Sequence, residues 1–462
     1  MTQYLFFLDA NADSGGNSLL WTSSGASATK TSVSFNPYAG NNLIVLPAIA
    51  PVNKPLSRHG IDAGILLVGN DSAGSDNLFF WDGISAPTEV SGGSNAPSNG
   101  LIPQCLTAYS GAVYFNAQTN SGNDLWSSDG TTANTNLLTT SNYNPLYLAT
   151  AFGQLFFNGN GNLYSCGPDG VVGDPIATRF NPYCLAALEV GSAPHYFGPV
   201  FNPVTGAVSI PGPPALPVSL FMGGTDDGGN ARLYRYGGEG SAPQSIDTTS
   251  DGLNPYNLVA LQWGSAWEIP YHIPGFPELK DLFLFYWNSA VFFSGFDGFN
   301  NGDLSSPLRG LWMSEGTAAT TVNVQGSWVS GVSLDPYNLT PLNGILYFTG
   351  ADAAVGTGRG LFQYDPVKKQ TTHIFKTTAF DFSPQYTSSW NGSPPGGQGN
   401  ASPFTMTAFD NKLYFNCIPA NRTIGVQGLY VWDPADGPGV NPTPVTGAGG
   451  SNPFCLMVVD FP

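Results

Sequence analysis

Charge is scarce in this sequence, and positive charge is scarcest. Only 10% of residues are charged, with 14 Lys plus Arg against 31 Asp plus Glu and a formal net charge of −17. Nucleic acid and anionic membrane surfaces are recognised through a basic footprint, so neither fits this chain as a partner. No apolar run reaches the 18 residues of a membrane-spanning helix, so no membrane insertion is expected. The five cysteines contain no Cys-x-x-Cys pair and no zinc-type spacing.

Catalytic residue types are equally thin. Histidine occurs only at His59, His195, His272 and His373, and no two stand at metal-ligand spacing. Glutamate occurs only at Glu89, Glu189, Glu239, Glu268, Glu278 and Glu315. A glycosidase needs two positioned carboxylates. No aspartate stands apart from the repeated pattern described next. A Gly-x-Ser-x-Gly elbow and a P-loop are both missing. These shortages point away from an enzyme.

What the chain does have is turns and aromatics: 58 Gly, 38 Pro and 13% aromatic residues. They recur in register. A Leu-aromatic pair appears at Leu20-Trp21, Leu78-Phe79, Leu125-Trp126, Leu163-Tyr164, Leu233-Tyr234, Leu311-Trp312, Leu361-Phe362 and Leu429-Tyr430. An apolar run precedes each, as in Val113-Tyr114-Phe115 and Leu346-Tyr347-Phe348. Before that stands a Pro-led segment, as in Asn144-Pro145-Leu146, Asn181-Pro182-Tyr183, Asn254-Pro255-Tyr256 and Asp335-Pro336-Tyr337. Aromatic and β-branched residues bounded by Gly, Asp, Asn and Pro read as strands, and Pro is tolerated at a strand start. Each unit is therefore read as four short strands, the last a polar one such as Asn136-Leu137-Leu138-Thr139.

Four-stranded units repeated radially make a β-propeller. The expectation is an all-β, closed propeller of eight four-stranded blades, with seven the alternative count, over residues 1–462 as one domain. The chain starts at a second strand, Leu5-Phe6-Phe7, and ends on a lone first strand, Asn452 to Val459. The two should complete the first blade together and remove two exposed sheet edges. Cys105, Cys184 and Cys455 occupy equivalent places in three first strands, too far apart to bridge, and read as small core residues.

The unit resembles the ELWxxDGT repeat of bacterial hyalin-like propeller proteins. Asp124-Leu125-Trp126-Ser127-Ser128-Asp129-Gly130-Thr131 carries it best, and Leu311-Trp312-Met313-Ser314-Glu315-Gly316-Thr317 is similar. The copies at Leu361 and Leu429 run into Asp-Pro instead of Gly-Thr. The resemblance implies a propeller module of secreted or surface proteins and no particular activity.

Insertions interrupt the repeat at 47–60, 188–219, 263–287 and 377–401. The first three fall between first and second strands and should project from one face. The third is rich in Trp263, Trp267, Tyr271, Phe276 and Phe283, which are read as partner-binding residues, since exposed apolar patches mark interfaces. The opposite face should carry Asp/Asn/Gly loops. Asp9, Asn11 and Asp13 form the candidate calcium set, against the plainer reading of an Asx turn; calcium is the only cofactor considered.

The reading is a non-enzymatic binding or structural module, docked through its apolar insertions to a protein partner in a larger surface or particle assembly. A glycan-binding lectin, calcium-assisted, is the alternative, and a polysaccharide-active enzyme the second. Residues 1–7 lack the charged and apolar regions of a signal peptide. The expected location is extracellular, at a cell surface or in a virus-like particle without a cleaved leader; the cytoplasm is the alternative.

Overall fold

Strands dominate because almost every unit offers three short apolar segments separated by residues that turn the chain. The computed structural model describes the chain except for residues 1, 10–17, 36–42, 47–63, 72–74, 82–86, 91, 190–192, 198–199, 202–207, 210–217, 239, 248, 250, 271–280, 301–302, 325–327, 330–331, 352–357, 377–378, 383–405, 420–426, 450, 452 and 462. Eight antiparallel blades form a β-propeller. Blade 3 shows the plain pattern: Gln104–Tyr109 innermost, then Ala112–Thr119, Gly122–Ser128 and Asn136–Leu137 outermost. The chain's last strand, Pro453–Phe461, pairs antiparallel with Thr2–Asp9, from Thr2 opposite Phe461 to Asp9 opposite Pro453. It stands inside the first blade, and it also touches the innermost strand of blade 2, Leu43–Leu46.

Not every blade has four strands. Blade 4 has three, Leu146–Ala151, Gln154–Gly159 and Asn162–Cys166, and its outer edge is reduced to single bridges from Leu163 to Ala177 and from Cys166 to Val172. Gly173 and Pro175 interrupt that edge, and Pro has no N–H to give a ladder. Blades 6 and 8 each have a fifth strand: blade 6 takes it from an insertion described below, and in blade 8 it is the short Phe380–Asp381.

Each sheet is buried on both faces, and alternation along the second strand sends successive side chains to opposite neighbours. Tyr347 packs toward blade 8, whereas Leu346 and Phe348 pack toward blade 6. Seven blade-to-blade junctions each hold their own apolar cluster among the described residues. The Leu of every Leu-aromatic pair is buried. The aromatic after it lies directly across from the second strand, as Trp21 does from Phe7, Trp126 from Phe115, Tyr164 from Phe157 and Phe362 from Phe348. Three of these cross-strand pairs stack: Phe7–Trp21 at 5.8 Å, Phe157–Tyr164 at 5.7 Å and Phe348–Phe362 at 5.6 Å between centroids. Such pairs add stability beyond the area they bury. Cys105 and Cys184 are buried free thiols, and burial pushes Cys184 up to about 12.

The Pro-led segments join the blades. Asn144, Asn181, Asn254 and Asp335 all have left-handed backbone, with φ of 46°, 44°, 42° and 41°. Asn and Asp tolerate that conformation best among residues with a Cβ. The Asn254 N–H donates to Ala231 O of blade 5 (2.8 Å), while the adjoining Leu253 carbonyl accepts from Phe296 N–H of blade 6 (2.6 Å). One peptide group thus stitches two blades. The same pair of hydrogen bonds recurs at Leu101–Ile102, Phe180–Asn181 and Leu334–Asp335. The apolar residue in that group is a plug: Leu101, Leu253 and Leu334 are at most 1% exposed. Farther along five of the inner strands a bulge shifts the register, with Cys105, Tyr147, Cys184, Asn257 and Asn338 again at positive φ.

Two predictions follow from burial and from backbone geometry. Trp126 is 0% exposed, so Trp126→Ala should lower unfolding free energy by about 3–5 kcal/mol in denaturant titration. Gly252 has φ +77°, and a Cβ there would stand 2.3 Å from Ala231 O, while Gly161, at φ +83°, has open space. Gly161→Ala should cost the left-handed strain alone, about 1–2 kcal/mol, and Gly252→Ala measurably more.

Candidate functional site

The departure from eightfold regularity lies in blades 5 and 6. Blade 7 turns from its first to its second strand just after Leu342 pairs with Ile345. At the equivalent place in blade 6, Leu261 pairs with Ala290, but the hairpin does not turn. It continues from Gln262 opposite Ser289 to Pro270 opposite Asp281. These nine further pairs reach about 30 Å at the usual rise per residue. The strands that make the arm are Tyr256–Pro270 and Asp281–Asn300. A third strand, Ala193–Phe197, comes from the insertion in blade 5 and pairs along the arm, from Ala193 opposite Trp287 to Phe197 opposite Phe283. The two neighbouring insertions are therefore one three-stranded sheet.

The register sets Phe283, Phe285 and Trp287 opposite Phe197, His195 and Ala193, and Leu282, Leu284 and Tyr286 opposite Ile269, Trp267 and Ser265. Phe283 also stands opposite Glu268. The signal was in plain view as the unbroken run Leu282 to Trp287, since a strand apolar at every position must be covered on both sides. The contribution of His195, Tyr196 and Phe197 had no comparable signal, because pairing between insertions is not local.

Of the five partner-binding candidates, Trp263 lies at the foot of the arm and is 8% exposed. It packs edge-on against Phe292 at 6.2 Å, within the apolar cluster between blades 6 and 7. Trp267 and Phe283 are placed in the arm strands. Tyr271 and Phe276 lie outside the described residues, as does His272. Asp9 closes the strand Thr2–Asp9 and is buried, whereas Asn11 and Asp13 also lie outside the described residues. The 47–60 insertion does too. Within 377–401 only residues 379–382 are described, with Phe380 and Asp381 paired to Pro419 and Ile418.

On the opposite face, the polar loops that are described are satisfied from within. Asp226 accepts from the N–H groups of Gly228 (2.9 Å) and Asn230 (2.8 Å), from the Asn230 amide (3.1 Å) and from Arg232 Nε (2.5 Å). Hydrogen bonding from Arg232 comes first among the effects that hold this carboxyl well below the usual range. Asp71 accepts from Ser75 N–H (2.9 Å) and from the Asn77 amide (3.0 Å), which also reaches Glu89. Burial, then the Asp71 charge, raises the Asp76 and Glu89 carboxyls. No group of three or more metal-ligating side chains gathers among the described residues.

The Ser-Asp-Gly-Thr element is a turn. Ser128 Oγ accepts from Gly130 N–H (3.1 Å), and Asp129 accepts from Thr131 N–H (3.0 Å) and from the Asn134 amide (2.6 Å). Ser314 and Gly316 repeat the first contact in blade 6. Two arginines brace the Pro-led segments. Arg309 lies over the Tyr256 ring at 4.3 Å and donates to Asn254 O (2.9 Å). Arg359 lies over the Tyr337 ring at 4.6 Å and pairs with the Asp335 carboxylate (3.1 Å) and carbonyl. The residue pattern Arg-Gly-Leu-aromatic, shared by these two blades, marks them in the sequence.

No family model and no curated protein matches the chain. Among solved structures it is similar to puromycin hydrolase, at 12% identity over 81% of this chain and 52% of that one, with a TM-score of 0.43. The chain thus spans about half the length of that protein. The β-propeller domain of the Trilobed protease from Pyrococcus furiosus is similar at 9% identity over 84% and 92% of the two chains, TM-score 0.38. Apo AztD from Citrobacter koseri is similar at 12% identity over 99% and 97%, TM-score 0.36. Likenesses this distant carry nothing about chemistry.

Asp124 offers a test of how the polar face is held. It is fully buried and accepts from Thr139 Oγ1 (2.8 Å), Asn142 N–H (3.0 Å) and Tyr143 N–H (3.1 Å). Asp124→Ala should destabilise the chain by at least ~2 kcal/mol in a denaturant titration, because three donors lose a charged acceptor.

Proposed function

We propose that this β-propeller is a non-enzymatic binding module that docks to a protein partner, within a larger surface or particle assembly, through the arm of blades 5 and 6. The observation behind this reading is that two insertions, separated by a whole blade unit in sequence, pair into one sheet with Trp287 opposite Ala193 and Gly264. A lone hairpin of that reach is marginal in water, and a third strand steadies it. The unbroken apolar run from Leu282 to Trp287 in its central strand fits a sheet inserted between other protein surfaces. The ring gives it a rigid base: Trp263 and Phe292 anchor its foot in the core between blades 6 and 7.

The test is to replace residues 264–287 by an Asn-Gly turn, which suits a two-residue hairpin, and to measure both melting and native mass in the source organism. The ring should still melt cooperatively, and the protein should move from a large assembly to a particle of its own mass. If the trimmed chain stays in the assembly, docking does not run through the arm.

A further inference from the structure

A groove of 490 Å³ lies at the seam where blade 8 meets blade 1. It is bounded by the turn from first to second strand in blade 8, at Asp410 and Lys412, and by turns from third to outer strand, at Gly25 in blade 1 and Asp433 to Thr443 in blade 8. Connections of these two kinds emerge on the same face of a propeller as the arm, here on different blades. Three carboxylates, Asp410, Asp433 and Asp436, face one ammonium, Lys412. Asp433 Oδ1 is already taken by Ala435 N–H (2.9 Å), and its Oδ2 lies 4.0 Å from Lys412 Nζ.

The floor of the groove supplies a second and independent feature. Tyr414 is 2% exposed, with its ring packed on Phe409 at 5.4 Å. Its hydroxyl stands beside Gly25, 3.2 Å from where a Cβ would be. No described residue is hydrogen-bonded to that hydroxyl, so it is left for what enters the groove. Gly25 has φ +115° and no side chain, and this leaves the phenol open to the groove.

We propose that the groove is a binding site for an organic cation, a primary ammonium or guanidinium group such as ends a Lys or Arg side chain. Asp410 and Asp436 supply the charge and the Tyr414 oxygen accepts an N–H. Burial, then the nearby Asp410 charge, pushes the phenol up to about 12, so it stays neutral and hydrogen-bonding at ordinary pH. A volume of this size suits a side chain or a small molecule. The chain's net charge of −17 draws cations toward it. Lys412 is a competitor already in place: its ammonium occupies part of the acidic rim.

Lys412 makes the test sharp. Argininamide is titrated calorimetrically into the full chain, with glutamate and galactose as controls. Saturable binding of argininamide alone is expected, weakening as salt rises. Asp436→Asn with Asp410→Asn should weaken it about tenfold, and Tyr414→Phe should weaken it while leaving the melting temperature unchanged. Lys412→Ala should tighten it. The proposal is overturned if argininamide fails to saturate at ~10 mM, where even millimolar sites fill. It is equally overturned if Lys412→Ala weakens binding, or if glutamate or galactose binds in place of the cation. The site is separate from the arm, so either can fail alone.

Discussion

At four of the junctions a single peptide group bonds both neighbouring blades. In the unit Leu253–Asn254 the N–H is spent on one blade and the carbonyl on the next, and Leu253 itself fills the space between them. Buried backbone groups must be paired, and here pairing does double duty as a hinge of fixed angle. The stacking of sheets follows from it. Once neighbours are held at that spacing, the second strand can bury side chains on both faces, and the Leu-aromatic strand is pressed against it. The left-handed Asn or Asp is the residue cost of the arrangement, and it explains why the motif reads Asn-Pro or Asp-Pro and seldom anything else.

Regular junctions leave few places for variety, and the chain concentrates it at the connections. The turns from second to third strand at Asp226 and Asp71 are short and self-satisfied. Such side chains close loops; their acceptors are used by the loop itself. In blades 5 and 6 growth occurs at the turn from first to second strand, where a hairpin lengthens without breaking the blade's own ladder. Blade 6 keeps its register past Leu261 and becomes an arm. Blade 5 sends out a strand that joins it. Face and position then follow from the ring, since adjacent blades hold their insertions within reach of each other.

The seam between blades 8 and 1 is built differently from the other junctions. The last strand lies inside the first blade, and the outer strand of blade 8, Thr443–Gly449, also reaches blade 1, where Thr446 N–H bonds to Ala26 O (3.2 Å). Gly447 permits that approach, since a Cβ there would meet Ala28 O at 2.4 Å. Backbone contact on the outside and apolar packing inside leave a polar recess between, and it is there that Tyr414 and the aspartates gather.

The sequence by itself determined the blades. Eight Leu-aromatic pairs, each a buried Leu followed by a cross-strand aromatic, were countable because burial repeats with the chain's own period. Pro-led segments, most of them Asn-Pro, marked the inner strands for the same local reason. The bulge beyond was not legible, since residues as different as Cys105, Tyr147 and Asn338 adopt its left-handed backbone; tertiary packing imposes that conformation on whichever side chain is present. Trp263 looked like its aromatic neighbours in the insertion, yet the core between blades 6 and 7 claims it. The arm's third strand and the seam groove depend on which blades are neighbours across the ring. Only the tertiary structure decides that, because both join residues that are far apart in the chain.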